Sequence, residues 1–531
     1  MSLNSRIQLG DNYSSWEDMN YSFYWEGIIF IKGVPSGVDS IKKFSNIMAE
    51  MGIEKACRFL SGVFFLVIQN KTDDRYYSLV DNSGLFQAFY SNTHISTSFL
   101  KLVQIENLKV DDLNKRSVVE FIHCGYIFFN RTFFKSINKI DGTQILSLSQ
   151  ERLSVLTKEI PDIFCEVEQE PFLTIFEKIA ASLRNQNISL DLTGGMDTRL
   201  LAVVFNHFGL EFETAVSGVE GHPDVDISCI VAKKLGCKHS VTYHSIENLD
   251  EDIEESFNIC DGLMDILEYL RLLQHQRNRA NRKIDLMISG VGGEIFKDFF
   301  WVQDFPFYNK KHANIERLFN LRIRPIAPKH SYFSNEYVKR SKGFRNDFLR
   351  DLAFLLQNTN TKTYDNIFFK CRWKERAGRF TTNNNKILKC YTPFLDIDLV
   401  RIAVNLPRRK RLKDGFHRRI IALLNPDVAK LRTSRRGYIG IIRYSFFLRD
   451  IIKYFTVMGR RLINIFFPHS PDNPEIYRRV KESKVSQRYT EFLHDSRILN
   501  KEIDITCIDD EFLGRFVTLA KLVEVISDKA L

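Results

Sequence analysis

The sequence predicts an α/β protein, with a layered first half rich in β-strands, then a parallel sheet with crossover helices, then a helical tail. Three observations lead to this prediction. Up to about residue 155 the chain contains short runs of β-branched and aromatic residues bounded by turn residues. From residue 172 strand-like and helix-like segments alternate, as they do in parallel sheets. Beyond about residue 312 the pattern is mostly helical.

Four strands and one turn are predicted in the first half. Residues 23–31, 62–69, 76–80 and 144–148 are short and rich in the residue types that favour strands. Residues 81–84 are polar and end in glycine, which predicts a turn.

A change of pattern marks the predicted boundary between two domains. Residues 160–171 are acidic, contain two prolines and show no periodicity, so we place the domains at 1–160 and 170–531. Two of the helices that follow are expected to end at Gly209 and Gly236. The predicted helices are 172–185, 198–208 and 224–235, and the predicted strands are 188–192, 212–216, 240–243 and 284–288.

The charge of the chain is mildly basic. A net charge of +10 over 531 residues is too small to argue for nucleic-acid binding by itself. Basic residues are concentrated in residues 401–461, which predicts either an anionic ligand nearby or a solvated basic face. A nucleic-acid-modifying enzyme is an alternative that rests on this stretch alone. Residues 441–467 alternate apolar and basic residues, so the segment either lies on an anionic membrane or, more commonly for such segments, packs on the core.

The location of the protein is predicted to be cytoplasmic. The nine cysteines are scattered, and none forms a C-x-x-C pair or a cluster with histidine at zinc spacing. The first residues lack the basic start and apolar run of a signal peptide, and no run of about 18 apolar residues occurs.

The segment that carries the most chemical information is the loop after the predicted strand 188–192. Gly194 and Gly195 let the backbone approach a ligand closely, and their N–H groups with the following helix N-terminus form an anion site. Thr193 and Thr198 add hydroxyl groups, and a carboxylate beside a phosphate site, here Asp197, suggests a Mg²⁺ ligand.

The residue after the loop and the spacing of its glycines also bear on its chemistry. Arg199 is also expected to reach a phosphate. The spacing is not that of a Walker loop, and the structural alternative is an ordinary glycine turn with capping side chains.

Several motifs resemble one enzyme family. Residues 193–198, TGGMDT, resemble the S-G-G-x-D-S pyrophosphate loop of ATP pyrophosphatases, with threonine at both serine positions. Residues 288–296 resemble the S-G-x-G-x-D-E-[LIV]-F loop of the asparagine synthetase family, and residues 393–396 match its P-F-L-D motif. Residues 60–67 and 80–90 resemble that family's glutamine-hydrolysing domain.

The resemblance implies a fold and a reaction. The fold would be a layered α+β domain of the Ntn-hydrolase type, followed by a doubly wound parallel-sheet ATP pyrophosphatase domain with a helical tail. The reaction would activate a carboxylate as its acyl-adenylate with release of pyrophosphate, after which a nitrogen nucleophile expels AMP. ATP and Mg²⁺ would be the cofactors, and the partners would be a small-molecule or peptide carboxylate and ammonia or an amine.

The resemblance also implies roles for particular residues. Asp197 and Glu294 would hold Mg²⁺, and Glu294 and Arg435 would act in catalysis. The nucleotide would be bound by residues of the strand ends and of the two glycine loops, namely Leu192, Thr193, Gly194, Gly195, Asp197, Thr198, Val216, Ser217, Ser289, Gly290 and Gly292.

The glutamine-hydrolysing half departs from the family at three places. Residue 2 is Ser2 where the family has the catalytic cysteine, and the nearest cysteine is Cys57. Residues 26–31 lack the asparagine of the family's oxyanion segment, and no arginine motif for the glutamine carboxylate occurs between residues 32 and 60. We therefore expect glutaminase activity to be lost and the front domain to be structural.

The synthetase half departs less. Glu294 stands where the family has aspartate, with one residue deleted after it, and Val291 stands where some relatives carry a catalytic tyrosine or glutamate. The family lysine near pyrophosphate is represented by Arg435, with Arg432 or Arg436 as alternatives. We expect an ATP-dependent amide-forming ligase. The alternative is a relative that binds ATP without turnover.

Overall fold

The computed structural model describes residues 4–150, 152–165, 170–244, 248–297, 304–324, 326–434 and 474–527, with a few positions between 448 and 459. The chain is a mixed α/β protein with an N-terminal antiparallel sheet, a later five-stranded parallel sheet with helices, and a helical tail. The predicted α/β class and the order of these three parts are confirmed.

The first half is built on a six-stranded antiparallel sheet in the order β10-β9-β5-β4-β3-β2. The central pair, β3 and β4, is 11 residues long in each strand and is buried along most of its length, because its residues are aromatic or β-branched on both faces. The strands are β2 (Ser14–Glu17), β3 (Tyr21–Ile31), β4 (Leu60–Asn70), β5 (Arg75–Val80), β9 (Gln144–Leu148) and β10 (Leu153–Thr157).

A small four-stranded sheet and four helices complete this half. The small sheet has the order β1-β7-β6-β8, and its strands are β1 (Ile7–Gln8), β6 (Phe89–Tyr90), β7 (Ile95–Ser96) and β8 (Asn138–Lys139). The helices are α1 (Val38–Met51), α2 (Ile53–Ala56), α3 (Phe99–Ile105) and α4 (Lys115–Cys124). Helix α1 covers one face of the large sheet, with Ile41, Phe44 and Met48 in a core shared with Phe23 and Phe64.

The second half is built on a parallel sheet in the order β13-β12-β11-β14-β15. The chain enters at the middle strand, builds outward to β13, and then returns to add β14 and β15 on the other side. The order therefore reverses between β11 and β14, which is where ligands bind in open parallel sheets. The strands are β11 (Ile188–Asp191), β12 (Glu213–Gly218), β13 (His239–Tyr243), β14 (Leu286–Ile288) and β15 (Lys389–Tyr391).

Helices surround this sheet and form the tail. Those up to β14 are α5 (Phe172–Leu183), α6 (Asp197–His207), α7 (Pro223–Leu235), α8 (Leu249–Cys260) and α9 (Ile266–Asn281). Those around and after β15 are α10 (Ile315–Leu318), α11 (Asn335–Asp351), α12 (Asn360–Ile367), α13 (Lys374–Asn385), α14 (Ile397–Asn405), α15 (Arg408–Arg411), α16 (Gly415–Leu424), α17 (Pro426–Ala429), α18 (Pro474–Glu482), α19 (Val485–Asp495) and α20 (Asp510–Ile526).

Two of these helices contain wider π-helical turns. Phe319–Ile323 continues α10 as a π-helical segment, and Phe368–Trp373 joins α12 to α13 in the same way. Such segments are rare and occur frequently at functional sites.

The two halves share one continuous core. The rings of Phe30 in β3 and Tyr391 in β15 meet edge to face, with centroids 5.5 Å apart. Lys32, just after β3, pairs with Asp396 at 2.9 Å and with Asp398 at 2.6 Å. The first half is thus packed directly against the segment that follows the parallel sheet.

The elements that were predicted agree with the structure, but several observed elements were not predicted. Most predicted boundaries lie within about two residues of the observed ones, and Gly209 and Gly236 both have positive φ, at 66° and 71°. None of helices α1 to α4 was predicted, because the strand-like runs dominated the first half, and strands β2 and β10 and helices α8 and α9 were not predicted either. Strand β15 was also missed, because it is only three residues long and lies within a helical region.

Candidate nucleotide site

The loop after β11 is organised by its own threonines. The N–H of Thr193 donates to Oγ1 of Thr198 at 3.0 Å, and the N–H of Gly195 donates to Oγ1 of Thr193 at 3.2 Å. Helix α6 begins at Asp197, so the N–H groups of its first turn have no partner within the helix. The loop therefore presents a helix N-terminus at the carboxyl end of the central strand.

The loop after β14 packs directly against the first loop. A Cβ atom at Gly290 would lie 2.6 Å from Cγ2 of Thr198, and one at Gly293 would lie 2.4 Å from Oδ1 of Asp197. Both contacts are too short for any side chain. Gly290 and Gly293 are therefore required for the two loops to meet.

Gly194 and Gly292 pack closely against residues that do not line the cavity. Gly194 lies against Ser434 and Asp224, where a Cβ would come within 2.7 Å and 2.9 Å of their side chains. Gly292 has a φ of +92°, and a Cβ there would meet Leu395 at 2.4 Å. Leu395 belongs to the segment 393–396, so this contact joins two of the motifs that were singled out from the sequence.

The two loops form the floor of a cavity of about 420 Å³. Of the predicted nucleotide-binding residues, Leu192, Gly194 and Gly292 are not among those lining the cavity, and the N–H of Leu192 donates to Ala215 at 2.9 Å within the sheet. The predicted residues that do line it are Thr193, Gly195, Asp197, Thr198, Val216, Ser217, Ser289, Gly290 and Glu294.

Asp197 is surrounded by positive or proton-donating groups. Nζ of Lys297 lies 2.8 Å from its Oδ1, and Nε2 of His417 lies 2.8 Å from the same oxygen. The His417 contact is not aligned as a hydrogen bond. Burial would raise the pKa of Asp197, but Lys297 and His417 together lower it below its ordinary value. Asp197 is therefore a carboxylate at neutral pH.

The surroundings of Glu294 shift its pKa in the opposite direction to that of Asp197. Burial and the nearby carboxylate of Asp197 raise its pKa above its ordinary value. Its Oε2 is buried and has no hydrogen-bond partner among the described residues. Asp197 and Glu294, predicted together as metal ligands, thus line the same cavity and interact electrostatically.

The far wall of the cavity was not predicted from the sequence. It consists of Met264, Glu268, Leu272, His275, Gln276, Trp373, Arg376, Ala377 and Phe380, together with Asp191 and Val291 from the strand ends. Asp191 is held by Arg279, which is fully buried and donates to its Oδ1 at 2.6 Å. Burial and the charge of Arg279 lower the pKa of His275 to about 2, so His275 is neutral at physiological pH.

Arg199, which was predicted to reach a phosphate, contacts backbone carbonyls instead. Its side chain is fully buried, and its guanidinium donates to the backbone carbonyls of Arg432 at 2.7 Å, Leu431 at 3.3 Å and Gly194 at 3.4 Å. It therefore ties the segment 431–434 to the glycine loop and does not line the cavity. Burial lowers the pKa of Arg199 to about 10.

The predicted catalytic residue Arg435 lies outside the described residues, as does Arg436. The last described residue before it, Ser434, donates its N–H to the carbonyl of Gly194 at 3.0 Å. Arg432, the other alternative, is described, and its carbonyl accepts from Arg199. The chain is thus bonded to the glycine loop at the residue preceding Arg435.

The basic stretch 401–461 is only partly described. Arg411 is buried and forms two hydrogen bonds with Asp365, at 2.8 Å and 3.0 Å, so this member of the basic run is structural. Of residues 441–467, the predicted membrane-surface or core-packing segment, the larger part lies outside the described residues. Within the described part of the chain, no helix is both long and apolar enough to cross a bilayer.

The front half offers no exposed thiol where a glutaminase would need one. Ser2 lies outside the described residues, and Cys57 is fully buried, with its pKa raised to about 11 by burial. Glu26, in the segment that replaces the oxyanion motif, accepts from the N–H of Gly10 at 2.5 Å and from Oγ1 of Thr97 at 2.8 Å. Cys57 is therefore part of the core, and Glu26 is engaged in local hydrogen bonds.

In the described ranges, no group of three or more His, Cys, Asp or Glu side chains is arranged to hold a metal ion. No protein-family model matches the chain, and no curated protein matches it in sequence.

Proposed function

We propose that this chain is an ATP-dependent amide-forming ligase of the asparagine synthetase type. The observation that carries the proposal is the contact between the two glycine loops at the point where the strand order reverses. That contact brings Asp197 and Glu294 to one cavity, beside the N-terminus of α6. A cavity that combines a helix N-terminus, bare backbone and paired carboxylates suits a nucleotide with its phosphates.

ATP fits the cavity in a defined orientation. The phosphates would lie over the first turn of α6, because its N–H groups and the positive end of the helix dipole favour anions. The base would lie beside Val216 and Ser217 at the end of β12. His275, which contacts Thr242 at 2.9 Å, is neutral there and can exchange hydrogen bonds with the base.

The residues also fit Mg²⁺. Magnesium in nucleotide sites is commonly held by one or two carboxylates together with phosphate oxygens and water. Asp197 and Glu294 provide two carboxylates, and the unpartnered Oε2 of Glu294 is a suitable donor. When bound, the ion would neutralise phosphate charge.

The proposed reaction has two steps. An oxygen of the substrate carboxylate attacks the α-phosphorus of ATP, the bond to the bridging oxygen breaks, and pyrophosphate leaves. An uncharged nitrogen nucleophile then attacks the acyl carbon of the adenylate, AMP leaves, and the nitrogen loses a proton. The chain contributes orientation and charge stabilisation, for which the rigid loops are suited. Arg435 is proposed to stabilise the charge on the leaving phosphates.

The nitrogen source is proposed to be ammonia or an amine on a substrate, and not glutamine. The buried thiol of Cys57 supports this, because a thiol with a raised pKa is a poor nucleophile. We propose that the front half, an α+β layered domain of the Ntn-hydrolase type, is retained for structure. In product assays ammonium should support amide formation, and added glutamine should yield no glutamate. Glutamate release would overturn this part of the proposal.

A cytoplasmic location is proposed as well, because all nine cysteines are free. Nucleic acid is not expected as a partner.

A second candidate is a relative that binds ATP without turnover. The ion pair between Lys297 and Asp197 favours it, because an ammonium group beside Asp197 competes with a metal ion for the same carboxylate. This candidate predicts ATP binding with no release of pyrophosphate.

Measurement of ATP binding and of pyrophosphate release with a panel of carboxylic acids separates the two candidates. The informative variant is Asp197→Asn, with Asp226→Asn as its control because Asp226 is an exposed acid in the first turn of the neighbouring helix α7. We expect Asp197→Asn to reduce pyrophosphate release at least 100-fold, or about 2.7 kcal/mol in the activation free energy, and the control to be unaffected. Wild-type protein that fails to bind ATP would contradict both candidates.

A further inference from the structure

A second cavity of about 230 Å³ lies beside the proposed nucleotide cavity. The two cavities share Glu268 and Arg376, which form an ion pair with 3.5 Å between Oε1 and Nη2. A molecule in the second cavity would therefore touch the wall of the first. Because an apolar cavity of about 150 Å³ can hold benzene, the second cavity admits a small organic molecule.

The charged residues of this second cavity are strongly unbalanced. Four arginines line it, namely Arg322, Arg372, Arg376 and Arg515, and Glu268 is the one acid among its lining residues in the described chain. Burial and the positive charge of Arg376 lower the pKa of Arg372. Gathering like charges in a confined space costs free energy unless an anion is bound there.

Backbone contacts hold two of these arginines in place. Nη1 of Arg372 donates to the carbonyl of Arg322 at 2.5 Å. Nη1 of Arg515 donates to the carbonyls of Ile122 at 2.7 Å and His123 at 3.1 Å. A guanidinium has five N–H donors, so each of these contacts orients the group while leaving further donors for a ligand. The cluster is thus oriented before a ligand binds.

The remaining wall is apolar and comes from separate parts of the chain. Phe128 belongs to the first half, Leu318 and Ile323 to the α10 region, and Ile367 and Phe368 to the helix that leads into α13. The two π-helical segments, Phe319–Ile323 and Phe368–Trp373, both contribute to this wall, and Trp373 lines the neighbouring nucleotide cavity. The second cavity therefore has an arginine-rich part and an apolar part.

We propose that this second cavity binds the co-substrate of the ligation, a small organic acid whose carboxylate or phosphate group pairs with the arginines and whose apolar body packs on Phe128, Leu318 and Ile323. Arg376 lines both cavities, so an acid group that pairs with it would face the nucleotide. The role of the acid as a co-substrate rests on the proposed function. The binding of such an anion in this cavity is independent of that function.

Titration calorimetry without nucleotide tests the binding of the anion. The probes are phenylacetate, phenyl phosphate and the uncharged 2-phenylacetamide, which has the same size and shape as phenylacetate. We expect at least one of the two anions to bind and the amide to bind at least 10-fold more weakly. The preferred anion identifies the group that the arginines recognise. If neither anion binds, or if the amide binds equally well, the proposal is overturned.

Two variants locate the binding. Arg372→Gln removes a guanidinium, and Ile323→Trp fills the apolar part of the cavity, so the second variant decides the question if the first does not fold. Each should weaken anion binding at least 10-fold, whereas Arg350→Gln, whose side chain is 78% exposed on α11, should not change it. Unchanged affinity in a folded Arg372→Gln or Ile323→Trp protein would overturn the proposal.

ATP titrations of the same proteins test the anion site of the second cavity separately from the proposed ligase function. Arg372 does not line the nucleotide cavity, so ATP should bind Arg372→Gln as it binds the wild type. Anion binding without ATP binding in the wild type would leave the anion site standing and reject the ligase. ATP binding without anion binding would reject the anion site alone.

Discussion

Nζ of Lys297 lies 2.8 Å from Oδ1 and 2.9 Å from Oδ2 of Asp197, so one ammonium group contacts both oxygens of the carboxylate that begins α6. Lys297 follows Glu294 by three residues and also approaches Asp414 at 3.7 Å. The pair connects the end of the second glycine loop to the start of the first. It fixes Asp197 in the cavity and neutralises part of its charge.

Replacing Lys297 with methionine should destabilise the fold. The side chains of Lys297 and Asp197 are only 15% and 21% exposed, so the carboxylate would lose a partner in a poorly solvated place. We expect the free energy of unfolding to fall by about 2 kcal/mol, the range for a hydrogen bond to a charged group, in urea denaturation. Lys430→Met removes an exposed pair with Asp427 and should cost less than about 1 kcal/mol.

The double variant Lys297→Met/Asp197→Asn isolates the interaction itself. If the loss in Lys297→Met comes from the unpaired carboxylate, adding Asp197→Asn should recover most of it. Additive losses would mean that Lys297 stabilises the fold through its contacts with other groups.

The contact between Gly290 and Thr198 should tolerate no side chain. In Gly290→Ala the new methyl group would stand 2.6 Å from Cγ2 and 2.9 Å from the backbone nitrogen of Thr198. We expect a loss of about 2 kcal/mol in the free energy of unfolding, as for other overpacked sites, and weaker ATP binding because the loops are forced apart.

Gly343 provides a matched control. It lies inside α11, and a Cβ there would meet nothing within 4 Å. Gly343→Ala should therefore raise the free energy of unfolding by about 0.5–1 kcal/mol through helix propensity. If both variants behave alike, the tight packing of the two loops is not what requires glycine at residue 290.

Local patterns were sufficient to predict the floor of the site. The strand before residue 193, the helix after it and the glycines of both loops are encoded within short segments, and periodicity with turn chemistry locates them. Asp197 and Glu294 were paired through the resemblance of these loops to a known family. Their shared cavity agrees with that pairing, whereas their predicted roles stay predictions.

The walls of the site could not be predicted in this way. Arg376 and Glu268 are 108 residues apart in the chain and meet only because α9 and α13 pack beside the same sheet. Lys297 looks like an ordinary lysine after an apolar pair, and Arg199 like a cation beside a phosphate loop. Which way a long side chain turns depends on tertiary neighbours, and two of the three carbonyls that accept from Arg199 come from more than 230 residues later.

Arg199 is expected to hold the segment that precedes Arg435. Arg199→Met would remove the guanidinium that donates to the carbonyls of Leu431 and Arg432, in two hydrogen bonds that are partly buried. We expect the free energy of unfolding to fall by about 2 kcal/mol, since a hydrogen bond from a charged group contributes roughly 1.5–3 kcal/mol. Trypsin should also cleave after Arg432 more rapidly in the native protein.

Arg282→Met is the comparison for this variant. Arg282 is 35% exposed and pairs with Glu213 at 2.8 Å, so its loss should cost less than about 1 kcal/mol and leave the cleavage rate unchanged. Equal cleavage of Arg199→Met and wild type would show that the segment is held by other contacts, such as that of Ser434 with Gly194.

Glu294 should make stability depend on pH. Burial and Asp197 raise the pKa of Glu294 above its ordinary value of 4.5, so the folded chain binds its proton more tightly than the unfolded chain does. The stabilisation from this proton is complete below about pH 4.5 and is lost as the pH rises through the raised pKa. Glu294→Gln cannot ionise. We therefore compare the free energy of unfolding of Glu294→Gln with that of the wild type. The variant's value minus the wild-type value should increase from pH 4.5 upward and level off once Glu294 is ionised in the folded protein.

Urea denaturation of both proteins between pH 4 and pH 8 measures this difference. Glu251→Gln, on the exposed surface of α8, is the control for the same substitution away from the cavity. A difference that falls with rising pH would mean that ionised Glu294 is stabilised in the folded protein. Lys297 would then stabilise both carboxylates. The repulsion between Asp197 and Glu294 would be too weak to favour the binding of a metal ion.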